Sequence, residues 1–205
     1  MKVNVKAMQK NKLLNITLLI CDIFKYLFIV FIAASTILLI HWHLSPNTYE
    51  NINITIDKTS NAVFTMADSY SLTGPGTSNK KIDTSNKDLI RLTELNHVSL
   101  YVHYLQSVGL LAFWLLIIQE IKRVIKSVKG LKTFRSSNGK SLNRIGKYSL
   151  GIFVLSAFKW IGLPEYSFFG IYFQFMPLAF AIAAFILAEI FEEGNKLYEA
   201  EQLTI

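Results

Sequence analysis

The four histidines of the chain fall in two pairs, and each pair lies at one end of a long apolar run. His41 and His43 end the first run, while His97 and His103 begin the second. Because a single polar loop joins these two ends, we expect the four imidazoles to lie close together. Neutral imidazoles can bind a transition metal or act as a pH switch. The spacings match no specific metal motif, so the alternative is a set of ordinary amphipathic residues at an interface.

Two charged residues, Asp22 and Lys25, interrupt the first apolar run and can pair on one helix face because they are three positions apart. Charges inside a membrane span usually face the bundle interior or a cavity, which would make them part of a polar path or a coupling site. The alternative is an intrahelical pair near the cytoplasmic end of the span, with Lys25 reaching to the interface. Lys159, near the outer end of the third run, is predicted to reach out in the same way.

A basic cluster separates the second and third apolar runs. Between positions 122 and 147 the basic residues are Lys122, Arg123, Lys126, Lys129, Lys132, Arg135, Lys140, Arg144 and Lys147. Lys and Arg near membrane spans are retained in the cytoplasm, so this cluster predicts the orientation of the molecule. Apolar residues at helical spacing from 121 to 131 predict a basic amphipathic helix that continues the second span. The net charge of +7 therefore favours anionic lipid over nucleic acid as the nearest partner, and no direct nucleic-acid binding is expected.

The apolar runs predict an all-α membrane protein with four transmembrane helices, because a bilayer core needs about 20 apolar residues in a helix. The predicted segments are a basic cytoplasmic N-terminal tail (1–12), the first span (13–41), an extracytoplasmic loop domain (42–98), the second span (99–119), a basic cytoplasmic amphipathic loop (120–146), the third span (147–163), an outer turn (164–167), the fourth span (168–190) and an acidic cytoplasmic C-terminal tail (191–205). Pro177 predicts a kink in the fourth span.

The extracytoplasmic loop carries strand signals. Isoleucines alternate with polar residues from 52 to 57, and residues 62–66 could form a second short strand, so we expect a small β-hairpin. Leu89, Leu92 and Leu95 are at helical spacing, which predicts that 88–96 extends the second span outward.

The C-terminal tail is acidic, with Glu189, Glu192, Glu193, Glu199 and Glu201 against Lys196 alone. It could fold onto the basic cluster, although exposed ion pairs contribute only about 0–1 kcal/mol each. The alternative is a solvated tail. If the contact forms, an outside signal that tilts the spans would separate the loop from the tail and release a bound cytoplasmic partner.

Enzyme signatures are missing from the sequence. It has no Gly-rich phosphate loop, no His-Glu-x-x-His and no Gly-x-Ser-x-Gly, and Cys21 is the only cysteine. We therefore expect neither catalysis nor a cofactor.

Two motifs suggest a family. The first is Ile186–Gly194 followed by Leu203-Thr204-Ile205, and the second is Gly130, Phe134, Asn138 and Leu142 followed by Arg144-Ile145-Gly146. Together they resemble the bacterial membrane proteins known as the domain of unknown function 2975 family. Members are often encoded beside a small helix-turn-helix regulator, so the resemblance implies a multi-pass protein of the bacterial inner membrane with such a partner.

These observations predict a non-enzymatic sensing and interaction module, with both termini in the cytoplasm, that contacts the lipid bilayer and a cytoplasmic partner. The alternative is a subunit of a small oligomeric transporter or channel, with a path past Asp22 and Lys25, and a homo-oligomer fits either function. The predicted partner-binding residues are Lys122, Arg123, Lys126, Lys129, Phe134, Asn138, Arg144, Glu189, Glu192 and Glu193.

Overall fold

The computed structural model describes residues 2–49, 52–57, 62–69, 87–91, 95–130, 136–162 and 166–202. The helices are α1 (Lys2–Leu44), α2 (His97–Lys129), α3 (Ser136–Ala157) and α4 (Phe175–Gln202), with a short 3-10 helix at Pro46–Tyr49. The strands are β1 (Asn53–Asp57), β2 (Ala62–Ser69), β3 (Lys87–Arg91), β4 (Phe158–Gly162) and β5 (Tyr166–Tyr172).

Among the described residues, three helical segments are long and apolar enough to cross a membrane: Lys12–Leu44, His97–Lys129 and Phe175–Glu201. Large apolar side chains on α1 stay exposed, with Leu13 at 66%, Val30 at 64% and Ile37 at 65%. Helices that expose this much apolar surface are typical of a lipid environment. The prediction of a mostly helical, membrane-embedded protein is therefore confirmed at this level.

The third apolar run differs from its predicted form. Helix α3 ends at Ala157, and β4 and β5 occupy much of 158–172, where we expected the end of one span, an outer turn and the start of the next. This segment is rich in aromatic residues, which favour strands, and a short apolar run gives no periodicity that separates strand from helix. The predicted bounds 147–163 and 168–190 are therefore wrong at their outer ends. Within the predicted turn 164–167, residues 166 and 167 belong to β5, and 164 and 165 lie outside the described residues.

The predicted kink at Pro177 is also wrong. Helix α4 begins at Phe175 and runs unbroken to Gln202, so Pro177 lies in its first turn. Proline is tolerated there because the first N–H groups of a helix have no intrahelical acceptor. This position begins the helix without bending it.

The strands predicted at 52–57 and 62–66 are present as β1 and β2, but they do not pair with each other. β1 pairs antiparallel with β3, while β2 pairs with β5, which also pairs with β4. The expected hairpin is therefore wrong, and so is the helical interpretation of 88–91, because Lys87–Arg91 is a strand. Residues 92–94 of that prediction lie outside the described residues. Alternation identifies a strand but does not specify its partner.

The chain divides into two compact units. The first contains Met1–Ile32, Leu110–Phe153 and Phe175–Ile205, and the second contains Ala33–Gly109 and Val154–Gln174. In the first unit, the buried core residues are Ile117, Ile145, Ile152 and Ala184. Glycines bring the helices close, since a Cβ on Gly146 would lie 2.5 Å from the Phe185 ring. Helix α3 is therefore packed tightly against α4.

Polar groups in the second unit tie the start of α2 to β4. Asn96 caps α2, because the Val98 N–H donates to its Oδ1 at 3.2 Å. The Asn96 N–H donates to the Gly162 carbonyl at 2.9 Å, and the Gly162 N–H donates to the fully buried Ser99 hydroxyl at 3.1 Å. The start of α2 is thus fixed by three hydrogen bonds.

Gln106 provides hydrogen bonds to backbone carbonyl groups where α3 ends and β4 begins. Its Nε2 donates to the carbonyl oxygens of Leu155 at 2.7 Å and Phe158 at 2.8 Å. The last carbonyls of a helix lack intrahelical donors, and an unsatisfied one is costly away from water. A single amide on α2 supplies both donors.

Candidate functional site: a basic cavity between helices α2 and α3

A cavity of about 640 Å³ lies between the last turns of α2 and the first turns of α3. Four of its lining side chains are cationic: Arg123 and Lys126 from α2, and Lys140 and Arg144 from α3. Small and polar residues complete the lining: Ser127, Gly130, Ser137, Asn138 and Ser141. We call this site the basic cavity.

Helical periodicity on both elements positions the lining. On α2 and the residue that follows it the lining falls at 123, 126, 127 and 130, and on α3 it falls at 137, 140, 141 and 144, with Asn138 beside them. Both sets follow the i, i+3, i+4, i+7 pattern, which places residues on one face of a helix. Each helix therefore presents one polar face to the cavity.

Glu120 links the two helices beside the cavity. Its side chain is only 4% exposed, and its Oε1 accepts from Arg123 and, at 3.3 Å, from Arg144. Its Oε2 is buried and has no hydrogen-bond partner among the described residues. Because this one carboxylate pairs with two of the four cationic groups, the cavity keeps a net positive charge.

Two other basic residues between positions 122 and 147 contact side chains of α1 and do not line the cavity. Lys122 pairs with Asp22, and the Lys129 ammonium donates to Asn15 Oδ1 at 2.7 Å. Asp22 therefore takes an interhelical partner on α2, and the intrahelical pair predicted with Lys25 is wrong. The Lys25 ammonium instead lies 5.9 Å from the Tyr26 ring centroid.

The acidic tail approaches α3 by packing. A Cβ on Gly139 would lie 3.3 Å from the Ala188 carbonyl oxygen and 3.8 Å from the Glu192 nitrogen, so the start of α3 lies against α4. Glu193 pairs with Lys196 on its own helix at 2.7 Å. Within the described part of the chain, the ion pairs of the basic cluster go to Asp22 and Glu120, and none goes to the tail.

Four predicted partner-binding residues meet at the cavity: Arg123, Lys126, Asn138 and Arg144. The others lie elsewhere, with Lys122 and Lys129 against α1, and Glu189, Glu192 and Glu193 exposed on α4. Phe134 lies outside the described residues. Sequence reasoning missed Glu120, Ser127, Ser137, Lys140 and Ser141, although the second i, i+3, i+4, i+7 stripe on α3 could have revealed most of them.

The structure does not bring the four histidines to one metal site. The His43 and His97 ring centroids are 6.4 Å apart, and His97 also lies edge-on to Trp42. His41 Nδ1 is 2.9 Å from the Tyr49 hydroxyl. Across the residues that can be described, no group of three or more His, Cys, Asp or Glu side chains could hold a metal ion. These rings form an aromatic and polar cluster in the second unit.

Lys159 lies on β4, where its ammonium is 4.9 Å from the Tyr172 ring centroid. This cation–π contact keeps the side chain against the sheet of the second unit.

The basic cavity is therefore the arrangement with the clearest chemical capacity. Guanidinium and ammonium groups that converge on one space can bind a carboxylate or a phosphoryl group. No family model matches the chain, and neither a curated protein nor a solved structure matches it.

Proposed function

We propose that this chain is a multi-pass membrane protein that recruits an acidic cytoplasmic partner at the basic cavity and works as a non-enzymatic sensing and interaction module. The observation that carries the proposal is the convergence of Arg123, Lys126, Lys140 and Arg144 on one cavity beside a single buried acid, Glu120. A surface that only solvates the chain needs no such convergence.

We infer that α3 is part of a fourth crossing. In the first unit Arg144 contacts Glu120, and Gly151 faces Phe113, so α3 runs antiparallel to α2. Residues 145–157 of α3 supply about 20 Å of helix to this crossing, and the apolar sequence continues beyond the end of the helix. Gln106 supplies the donors that the end of α3 needs in such surroundings.

Orientation follows from charge. Lys and Arg near membrane spans are retained on the cytoplasmic side, which places the basic cavity there. With four crossings, both termini are cytoplasmic too. The resemblance to the domain of unknown function 2975 family supports a bacterial inner membrane and a helix-turn-helix regulator as the partner.

Sensing would act through the spacing of the cations. Because α2 and α3 each supply two of them, a tilt of either helix would change the distance between the two pairs. A partner held by both pairs would then be released.

The test is capture, from native membranes, of a helix-turn-helix regulator encoded beside the gene for this chain. The capture is compared between the full chain and two charge-reversal variants. Lys140→Glu changes a cavity residue, while Lys147→Glu makes the same change two turns along α3, outside the cavity lining. We expect Lys140→Glu to lose most of the captured regulator and Lys147→Glu to keep it. Equal recovery from both variants would refute docking at the cavity.

Crosslinking in native membranes tests the alternative, a subunit of a small oligomeric transporter or channel. That function predicts crosslinks only between copies of this chain, with no cytoplasmic regulator among the products.

A further inference from the structure

We propose that the basic cavity binds a phosphoryl group, carried either by an anionic lipid headgroup or by a soluble phosphate. The inference deepens the proposed function by naming a small ligand for the same cavity. It does not require a protein partner or a particular number of membrane crossings.

The size of the cavity favours a small ligand. Ligand pockets in proteins usually measure about 300–1,000 Å³, and this cavity of about 640 Å³ falls within that range. A phosphoryl group together with the group that carries it fits within this volume.

The lining supplies the donors that a phosphoryl group requires. Arginine presents a planar fork that matches two phosphate oxygens, and lysine adds a point charge. The cavity has two residues of each type, contributed equally by α2 and α3. Ser137 and Ser141 add hydroxyl groups to the lining from α3. Side chains from both helices would therefore bind the same ligand.

The start of α3 adds to the positive potential. Ser137 and Asn138 belong to the first turn of this 22-residue helix and line the cavity. The N–H groups of a first helical turn have no acceptor within the helix and favour anions nearby. This contribution supplements the four cationic side chains.

Glu120 positions the two arginines without neutralising the cavity. It accepts from Arg123 on its own helix and from Arg144 across the gap, through the single oxygen Oε1. A guanidinium has five N–H donors, so each arginine retains donors for a ligand. The side chains of Arg123 and Arg144 are 57% and 54% exposed, which leaves both accessible. Glu120 is therefore a positioning residue that orients the arginines before the ligand arrives.

The experiment uses the purified full chain in nanodiscs, with inorganic phosphate as the soluble probe and phosphatidylglycerol as the lipid probe. Calorimetry measures phosphate binding in phosphatidylcholine discs, and native mass spectrometry counts the phosphatidylglycerol molecules retained. The variants are Lys140→Gln in the cavity and Lys147→Gln outside it. Both remove one positive charge from α3, so a diffuse electrostatic effect would weaken both equally.

We expect saturable binding of at least one probe, weakened about tenfold by Lys140→Gln and changed less than about twofold by Lys147→Gln, since a hydrogen bond to a charged group is typically worth that much. Saturable phosphate binding identifies a soluble ligand, while retained phosphatidylglycerol without phosphate binding identifies a headgroup. No saturable binding of either probe, or equal weakening by both variants, overturns the inference.

The two proposals fail separately. If the full chain binds a phosphoryl probe but captures no regulator, only the proposal of a protein partner is overturned. Regulator capture without binding of either probe overturns only the phosphoryl site.

Discussion

Replacing Gly146 with alanine tests the close approach of α3 and α4 in the first unit. An alanine Cβ would lie 2.5, 2.7 and 2.8 Å from three atoms of the Phe185 ring, whereas ordinary van der Waals contact begins at 3.4 Å. The ring would therefore have to retreat by about 0.9 Å from its present packing. Because three ring atoms are involved, a rotation of the ring end alone does not relieve the contact.

The magnitude follows from two opposing effects. Extra methyl groups in a packed core cost about 1–3 kcal/mol. Alanine in a helix interior is favoured over glycine by up to about 1 kcal/mol. We therefore expect Gly146→Ala to lower the free energy of unfolding by about 1 kcal/mol, the middle of the range of about 0–2 kcal/mol that remains when the propensity gain is subtracted.

Cys21 offers a direct assay. It is the only cysteine of the chain, it lies in the first unit, and it is buried. A thiol-reactive fluorogenic dye therefore reports the unfolding of this unit as the detergent-solubilised protein is heated. Asn143→Ala, an exposed position on α3, controls for helix propensity and should leave the transition unchanged or raise it slightly.

A double variant tests whether the loss of stability comes from the contact between the new side chain at 146 and the Phe185 ring. Adding Phe185→Ala removes the ring, so Gly146→Ala should cost less in that background than in the parent chain. If Gly146→Ala is harmless in the parent, or equally costly in both backgrounds, then α3 and α4 do not pack as described.

Two further predictions concern the first unit and use the same dye assay. Ile117→Ala should destabilise the chain by about 2 kcal/mol, at the low end for a buried isoleucine, because the apolar transfer term is small in lipid. Ile117 is 1% exposed, whereas Ile182→Ala, at a 52% exposed position of α4 in the same unit, should have little effect, and equal losses would contradict the assigned core. Asp22→Leu and Lys122→Leu should each destabilise the chain more than the two together, since either single change leaves the other side chain without its ion-pair partner. Additive losses would show that the pair does not join α1 to α2.

The long helices could be predicted from composition and periodicity. The apolar stretch of α1, the continuation of α2 to Lys129 and the apolar character of α4 are encoded in local residue patterns. Helix hydrogen bonds close within the segment, so hydropathy and helical spacing are sufficient to identify such elements. The strand at Asn53–Asp57 followed in the same way from its alternation.

The pairing of strands and of charged side chains could not be predicted from composition and periodicity. β1 pairs with β3, and β2 pairs with β5, about a hundred residues away, because backbone hydrogen bonds between strands carry little sequence information. Asp22 has a possible partner on its own helix, yet it pairs with Lys122. Both interactions satisfy local chemistry, and only the packing of the helices selects between them.

The basic cavity depends on both the sequence and the tertiary structure. The sequence by itself determined that cations are concentrated between positions 122 and 147 and that part of this stretch is an amphipathic helix. Only the tertiary structure decided which cations face one another, because α3 folds back along α2 and the carboxylate of Glu120 draws Arg144 towards Arg123. A charge pattern fixes the face of a helix, whereas the distance between two faces is set by packing.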